Sequence, residues 1–209
     1  MRPLRETFEA LGSVLRQRFS LLLLLLGAVL LAYVSWEYGS MYFQQRRLAR
    51  EWQRQQEVEQ QNSVSTPAPE TAGDTLTRLS VPKINLESVV VEGTSHSALL
   101  IGPGHLQDTP APGESGNSVI SGHRDTFFRH LNDLQMGDEV LVQRGGKTFT
   151  YKVTGKRVVE PTDLSVIAPT KDPEMTLITC YPTYYIGPAP KRLVVFSKLV
   201  TDAPQTAAR

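Results

Sequence analysis

The chain of 209 residues contains one cysteine, Cys180, so no disulfide can form within it and a stapled framework is excluded. Charge is nearly balanced, with 22 Lys and Arg against 21 Asp and Glu, a net +1 at neutral pH. Such a chain has no bulk positive field to draw in nucleic acid. No internal repeat recurs at a solenoid period. No set of histidines, cysteine and carboxylates has the spacing of a zinc site, and no acidic clustering suggests calcium, so no metal or cofactor is expected. Long apolar runs are scarce as well: there is one, near the N-terminus. What is left is a domain of ordinary size, a short extra segment and a lone thiol. That thiol is an inert buried group, an intermolecular bridge or a nucleophile.

The apolar run is Phe19–Trp36, with six leucines at 21–26 followed by Gly27, Ala28, Val29, Leu30 and Leu31. At about 1.5 Å per residue it covers roughly 27 Å, enough for the hydrocarbon core of a bilayer. Tyr33, Trp36 and Tyr38 crowd its far end as an interfacial belt would, and Arg2, Arg5, Arg16 and Arg18 precede it. No A-x-A-like cleavage site follows, and consecutive leucines make every helical face apolar. We therefore expect a cytoplasmic N-terminus over 1–18, a single-pass signal anchor over 19–36 and a bulk domain outside the cytoplasm. Residues 37–61, rich in Gln, Arg and Glu, read as a solvated juxtamembrane helix. Residues 62–74, with Ser63, Ser65, Thr66, Pro67 and Pro69, read as a flexible linker. The folded domain is expected over 75–200, and a disordered tail over 201–209.

Within 75–200 the apolar segments are short and broken by Gly, Pro or Asn. Strands are expected at Arg78–Ile84, Glu87–Glu92, Ser118–Ser121, Glu139–Arg144, Thr148–Val159, Met175–Tyr181 and Leu193–Leu199. Gly145-Gly146 signals a two-residue hairpin. Only Thr126–Leu134 suggests a helical turn. This is an all-β pattern, and it fits either a closed barrel or a sandwich.

Cys180 ends an apolar strand just before Tyr181-Pro182, where proline stops pairing and a loop, Thr183 to Lys191, begins. A thiol at such an exit can meet solvent. If the strand starting at Arg192 returns antiparallel in the right register, Cys180 and Arg192 share a face. A guanidinium there would favour thiolate, or stabilise an oxygen that gains charge in acyl transfer. Of four histidines, His123 is the best candidate base, since it follows Val119-Ile120-Ser121-Gly122 at another strand end. His96, His105 and His130 read as surface or packing residues. Tyr181 is assigned to substrate through its backbone N–H, a candidate oxyanion donor. Thr179 is also carried as a substrate-side residue, although strand alternation turns its side chain away from Cys180 and leaves a structural role open.

Thr176-Leu177-Ile178-Thr179-Cys180 matches the TLxTC signature of sortases, membrane-anchored cysteine transpeptidases of bacterial surfaces. Gly102-Pro103-Gly104-His105, Pro112-Gly113-Glu114, Gly116-Asn117 and Gly122-His123-Arg124-Asp125-Thr126-Phe127-Phe128-Arg129 resemble the sortase segment that carries the catalytic histidine. Tyr181-Pro182 and Gly187-Pro188-Ala189-Pro190-Lys191-Arg192 most resemble class D. Thr183 stands where that pattern has an aromatic, usually Phe, which bears on substrate preference rather than on the chemistry. The resemblance, from Leu79 to Leu199, implies a closed eight-stranded sortase-type β-barrel with one or two short helices. It implies Cys180 as nucleophile, His123 as proton donor and acceptor, and Arg192 as substrate or oxyanion ligand. It further implies secreted proteins with an LPxTG-like C-terminal sorting signal as donors, and a cell-wall peptide or pilin lysine as amine acceptor.

Such an enzyme would work by acyl transfer through a thioester. A thiol ordinarily titrates above an imidazole, so a charge-separated pair is the minority form near neutrality and turnover should be slow unless the site favours the thiolate. Three alternatives carry different signatures. L,D-transpeptidases set cysteine between Gly and a nearby Arg, unlike Thr179-Cys180-Tyr181. A hydrolase on the same barrel would use only water as acceptor. An inactive binding module should have lost the cysteine, histidine or arginine, and all three are present.

Overall fold

Apolar residues at every second position decide which face of each strand turns inward. Leu79 and Val81, Val140 and Val142, Phe149, Tyr151 and Val153, Met175 and Leu177, and Leu193 and Val195 all belong to one buried cluster. A computed structural model describes residues 3–62 and 76–204 of the chain. Its strands are β1 (Thr77–Val81), β2 (Leu86–Glu92), β3 (Gly104–His105), β4 (Asn117–Gly122), β5 (Glu139–Arg144), β6 (Lys147–Val159), β7 (Glu174–Tyr181) and β8 (Lys191–Pro204). They close into a barrel in the order β1-β2-β3-β4-β7-β8-β6-β5, with β5 returning to β1. Closure decides between the two architectures that the strand pattern allowed, and it leaves no open sheet edge.

The β5–β6 hairpin turns at Gly145 and Gly146, both at positive φ (55° and 67°), as a two-residue turn between twisted strands requires. Four short elements were not expected: the helix α2 (His96–Ile101), the two-residue strand β3 and the 3-10 turns Pro82–Ile84 and Leu164–Ile167, the first of which ends β1 at Val81 where a strand was expected to run on to Ile84. All are too short for periodicity to reveal. β3 lies parallel to β2 and antiparallel to β4, so it bridges the two halves of the wall. The turn expected at Thr126–Leu134 contains a short 3-10 segment, Leu131–Asp133, and Phe128, Leu131 and Leu134 plug the interior. Each fully buried side chain of this size contributes about 1.5–3 kcal/mol.

A second, smaller apolar layer lies on the other face of β7 and β8. Val159, Val166 and Val194 are buried there, with Ile178 and Phe196 packed against them. The segment bearing Val166 is tied down by Asn117, whose amide donates to the carbonyls of Val166 and Ala168, both at 3.2 Å. The same side chain accepts from the buried Thr176 hydroxyl at 2.7 Å. One asparagine thus joins β4, β7 and the outer segment.

The chain divides into two compact units, residues 1–43 and 44–209. The helix α1 (Pro3–Asn62) supplies most of the first. Leu21 to Leu26, Val29, Leu30 and Leu31 stand exposed on it, and the helix is long and apolar enough to cross a membrane. In the second unit the rest of α1 packs on the barrel. Gln45 donates to the carbonyls of Ile101 (2.6 Å) and Val89 (3.3 Å), and its side-chain oxygen accepts from Val89 N–H and the Ser88 hydroxyl. Trp52 is buried, and the Arg78 guanidinium lies 4.7 Å from its ring centre. A helix read as wholly solvated therefore holds part of the wall, through amides and one indole rather than an apolar stripe. The linker expected at 62–74 lies, beyond Asn62, outside the described residues, as does the tail from 205 on. Residues 201–204 continue β8 and pair with Lys147–Thr150.

Candidate functional site

β7 carries Cys180 one residue before its end, and Tyr181 is followed by a cis peptide to Pro182. Met175 and Leu177 face the core, so Cys180 falls on the opposite face with Thr176 and Ile178, half-buried at the rim. β7 lies between β4 and β8 in the barrel order, and those two strands bear the other candidate groups.

On one side, β7 and β8 run antiparallel with Cys180 directly opposite Arg192. Directly opposed residues project to the same face, so the guanidinium stem and the thiol leave the sheet together. The guanidinium donates to the carbonyls of Ala189 (3.3 Å) and Lys191 (2.9 Å). On the other side β4 runs parallel to β7, with Gly122 opposite Thr179. His123 is therefore the next residue out beside the level of Cys180. Its carbonyl accepts from Phe128 N–H at 2.9 Å, which folds the following chain into a closed turn. Gly122 makes that turn possible: a Cβ there would lie 2.7 Å from a ring carbon of the fully buried Phe128.

The other residues singled out in the sequence lie in varied surroundings. Thr179 is 2% exposed and its hydroxyl donates to the Gly122 carbonyl at 2.7 Å, so its side chain joins two strands and faces away from the thiol. Tyr181 is half-buried and packs against the core cluster. Asp125 is exposed in the turn after His123. Of the two readings left for His105, the structure selects packing. The residue sits in β3, 5% exposed, with Nδ1 against the Glu92 carboxylate and Nε2 near the Pro110 carbonyl and Thr109 hydroxyl. His130 is exposed beside Asp133.

Two neighbours of the site were not selected as site residues in the sequence. His96 opens α2 and sets its ring edge-on to that of His123, with centroids 6.0 Å apart. Ser95 before it is a capping residue whose hydroxyl accepts from Ala98 N–H, a local signal that could have marked the helix. Arg124 reaches from the His123 turn to the carbonyls of Pro182 and Gly187 in the loop after Cys180. Among the described residues, no three His, Cys, Asp or Glu side chains are grouped to hold a metal ion. The arrangement sets a thiol, an imidazole-bearing turn and a guanidinium along one end of three adjacent strands.

A family model described as the sortase domain matches residues 79–200. Sortase D of Bacillus subtilis is 42% identical over 134 residues, which are 64% of this chain and 67% of that protein. Sortase SrtE1 of Streptomyces coelicolor is 28% identical over 167 residues, 71% of this chain but only 47% of its own length. Among solved structures, a Clostridium perfringens sortase D5 transpeptidase aligns with a TM-score of 0.62 at 26% identity, covering 76% of this chain and 99% of that one. With the closed eight-stranded barrel, these matches place the chain in the sortase family of transpeptidases, where it is class D-like.

Proposed function

We propose that this sortase cleaves a C-terminal LPxTG-like sorting signal after its threonine and transfers the new carboxyl end to an amine. The observation that carries the reading is the strand order β4-β7-β8 with its two registers, Gly122 opposite Thr179 and Cys180 opposite Arg192.

In the first step the Cys180 sulfur, as thiolate, adds to the threonine carbonyl carbon. The C–N bond then breaks, and imidazolium His123 gives its proton to the departing amine. The product is a thioester on Cys180. In the second step neutral His123 takes a proton from the incoming amine as its nitrogen adds to the thioester. The C–S bond breaks, and thiolate and imidazolium are both restored. Arg192 supplies a guanidinium on the face of Cys180, which can hydrogen-bond the substrate backbone or the oxygen that becomes negative. The backbone N–H of Tyr181 is a second candidate donor to that oxygen.

The donors would be secreted proteins bearing the signal, and the acceptor a cell-wall peptide or a pilin lysine. The apolar stretch of α1 fits a single-pass anchor, and Arg2, Arg5, Arg16 and Arg18 favour leaving the N-terminus in the cytoplasm and the barrel outside.

The test is incubation of the detergent-solubilised chain with a panel of fluorogenic sorting peptides and triglycine. We expect a covalent adduct at Cys180 with one peptide class and a ligated glycine product, both absent from Cys180→Ala. Cleavage with water as the only acceptor would reassign the protein as a thiol hydrolase. Absence of any adduct across the panel, with Cys180 inert to alkylation, would favour a binding module.

A further inference from the structure

The loop between β7 and β8 connects Cys180 to Arg192, yet little apolar burial holds it. Tyr184 is 84% exposed and Ile186 is 97% exposed. A segment with so few buried contacts opens cheaply unless polar contacts restrain it. The described restraints are few: Tyr185 N–H to the Pro182 carbonyl, the two bonds of Arg192 at the far end, and Arg124. Of these, only Arg124 reaches the Pro182–Pro190 span from another part of the barrel; at its far end, where β8 begins, Lys191 lies 3.6 Å from Glu160.

Arg124 directly follows His123. One terminal nitrogen donates to the Pro182 carbonyl at 3.3 Å, and the other to the Gly187 carbonyl at 2.7 Å. The guanidinium carbon also stands 6.0 Å from the Tyr185 ring centre, near the outer limit for a cation over a ring. Gly187, at φ +99°, takes a backbone conformation that a side chain rarely adopts, and this turns its carbonyl region at the loop's far bend. The fork therefore spans both ends of the bend. A lysine could satisfy one of the two carbonyls at a time but not the pair.

We infer that Arg124 is a positioning residue that straps the Pro182–Pro190 loop to the His123 turn, and so fixes the exit of the thiol strand relative to the imidazole. Its role rests on the reading of Cys180 and His123 proposed above. It differs from that of Arg192, the residue opposite the thiol: Arg124 has its terminal donors committed to the loop, and it acts through the placement of other groups. Without the strap the loop is free to swing from β4, and Cys180 and His123 spend less time within reach of one peptide bond.

The experiment compares the full chain with Arg124→Lys and Arg124→Ala by chymotrypsin under native conditions, with cleavage mapped by mass spectrometry. We expect cutting after Tyr184 or Tyr185 to quicken about fivefold or more in both variants, with the thermal midpoint held within about 2 °C. With a cleavable sorting peptide, kcat for thioester formation should fall about tenfold while KM changes less than about twofold, and lysine should not rescue it. Wild-type cutting rates at Tyr184 and Tyr185 in both variants would overturn the strap. So would a fall in midpoint with cleavage spread across the barrel, which would mark a merely structural arginine. If no peptide forms a thioester even with the unaltered chain, the proposed reaction fails, while the proteolysis still decides whether the strap exists.

Discussion

Thr179 and Gly122 face each other across the parallel pairing of β7 and β4, and the threonine hydroxyl donates to the glycine carbonyl at 2.7 Å. Each is the last residue before a group of the proposed site, Cys180 on one strand and His123 on the other. A parallel ladder carries evenly spaced, slanted bonds and is slightly weaker per residue than an antiparallel one. At the rim, where the ladder stops, a buried side-chain bond adds a fixed point. Thr179 thus bears on the nucleophile without facing it.

Thr179→Val keeps the shape and removes that bond. Stability should fall by about 1 kcal/mol, the net worth of one ordinary hydrogen bond. Thioester formation should fall further, about tenfold, because the two strand ends lose their common reference. Thr179→Ser should retain most of the wild-type rate. Single-turnover adduct formation beside a denaturant titration separates the two effects. Equal losses in both would make Thr179 a packing residue only.

Gly122→Ala asks whether the His123 turn tolerates displacement. The added carbon would meet Phe128 ring atoms at 2.7 and 2.8 Å, and Phe128 is fully buried. Overpacking of this kind costs about 1–3 kcal/mol. Since Phe128 N–H is bonded to the His123 carbonyl, the strain is relieved at the histidine turn. A melting curve should show the variant folded at room temperature, while adduct formation drops more than tenfold. A folded, fully active variant would show that the turn is softer than its packing implies.

The long strands were legible because alternation and turn chemistry agree there. Phe149, Tyr151 and Val153 face inward between outward Thr150 and Lys152, and Gly145-Gly146 marks a place where the chain can reverse tightly. The pairing of Cys180 with Arg192 was legible only as a condition on register, which a sequence does not contain. β3 and α2 were invisible for a different reason. Two residues and six residues carry no period: β3 exists by filling the gap between β2 and β4, and α2 is held by the Gln45 amide at its last carbonyl, with the Ser95 cap as its one local signal. His105 was read only as a surface or packing residue, and its burial follows from a strand, β3, that local sequence does not announce.

Acid should loosen the outer layer through Asp163. The Ser165 hydroxyl, then the Ser165 backbone N–H, hold its carboxyl below the ordinary aspartate range, with Arg157 adding a smaller attraction. A folded pKa below the unfolded one contributes stability above the unfolded value, and that stability is lost as pH falls through the folded one. The bonds brace the 3-10 turn Leu164–Ile167, which carries Val166 and lies next to the carbonyls that Asn117 holds. Asp163→Asn keeps a capping oxygen without the charge. Its melting temperature should sit slightly below wild type near pH 7, and the gap should close as pH drops below about 4. A gap that stays constant across that range would assign the effect to the cap alone.

The part of α1 beyond Phe43 offers the clearest contrast between a polar and an apolar contact. Gln45 satisfies three backbone groups and the Ser88 hydroxyl at once, and Gly102 leaves it room, since a Cβ there would lie 2.4 Å from its amide nitrogen. Gln45→Ala leaves those groups without their partner and should cost about 1–3 kcal/mol. Trp52 is different. Its indole N–H is buried without a partner, so part of what its burial contributes is offset by an unmade hydrogen bond. Trp52→Phe removes the orphan donor and some ring area together, and its stability should lie within about 1 kcal/mol of wild type. Trp52→Ala opens a cavity and should cost about 3–5 kcal/mol. Urea midpoints of the three variants in the intact chain check the order. If Gln45→Ala is neutral while both Trp52 changes are costly, the helix is held by area and not by its amides.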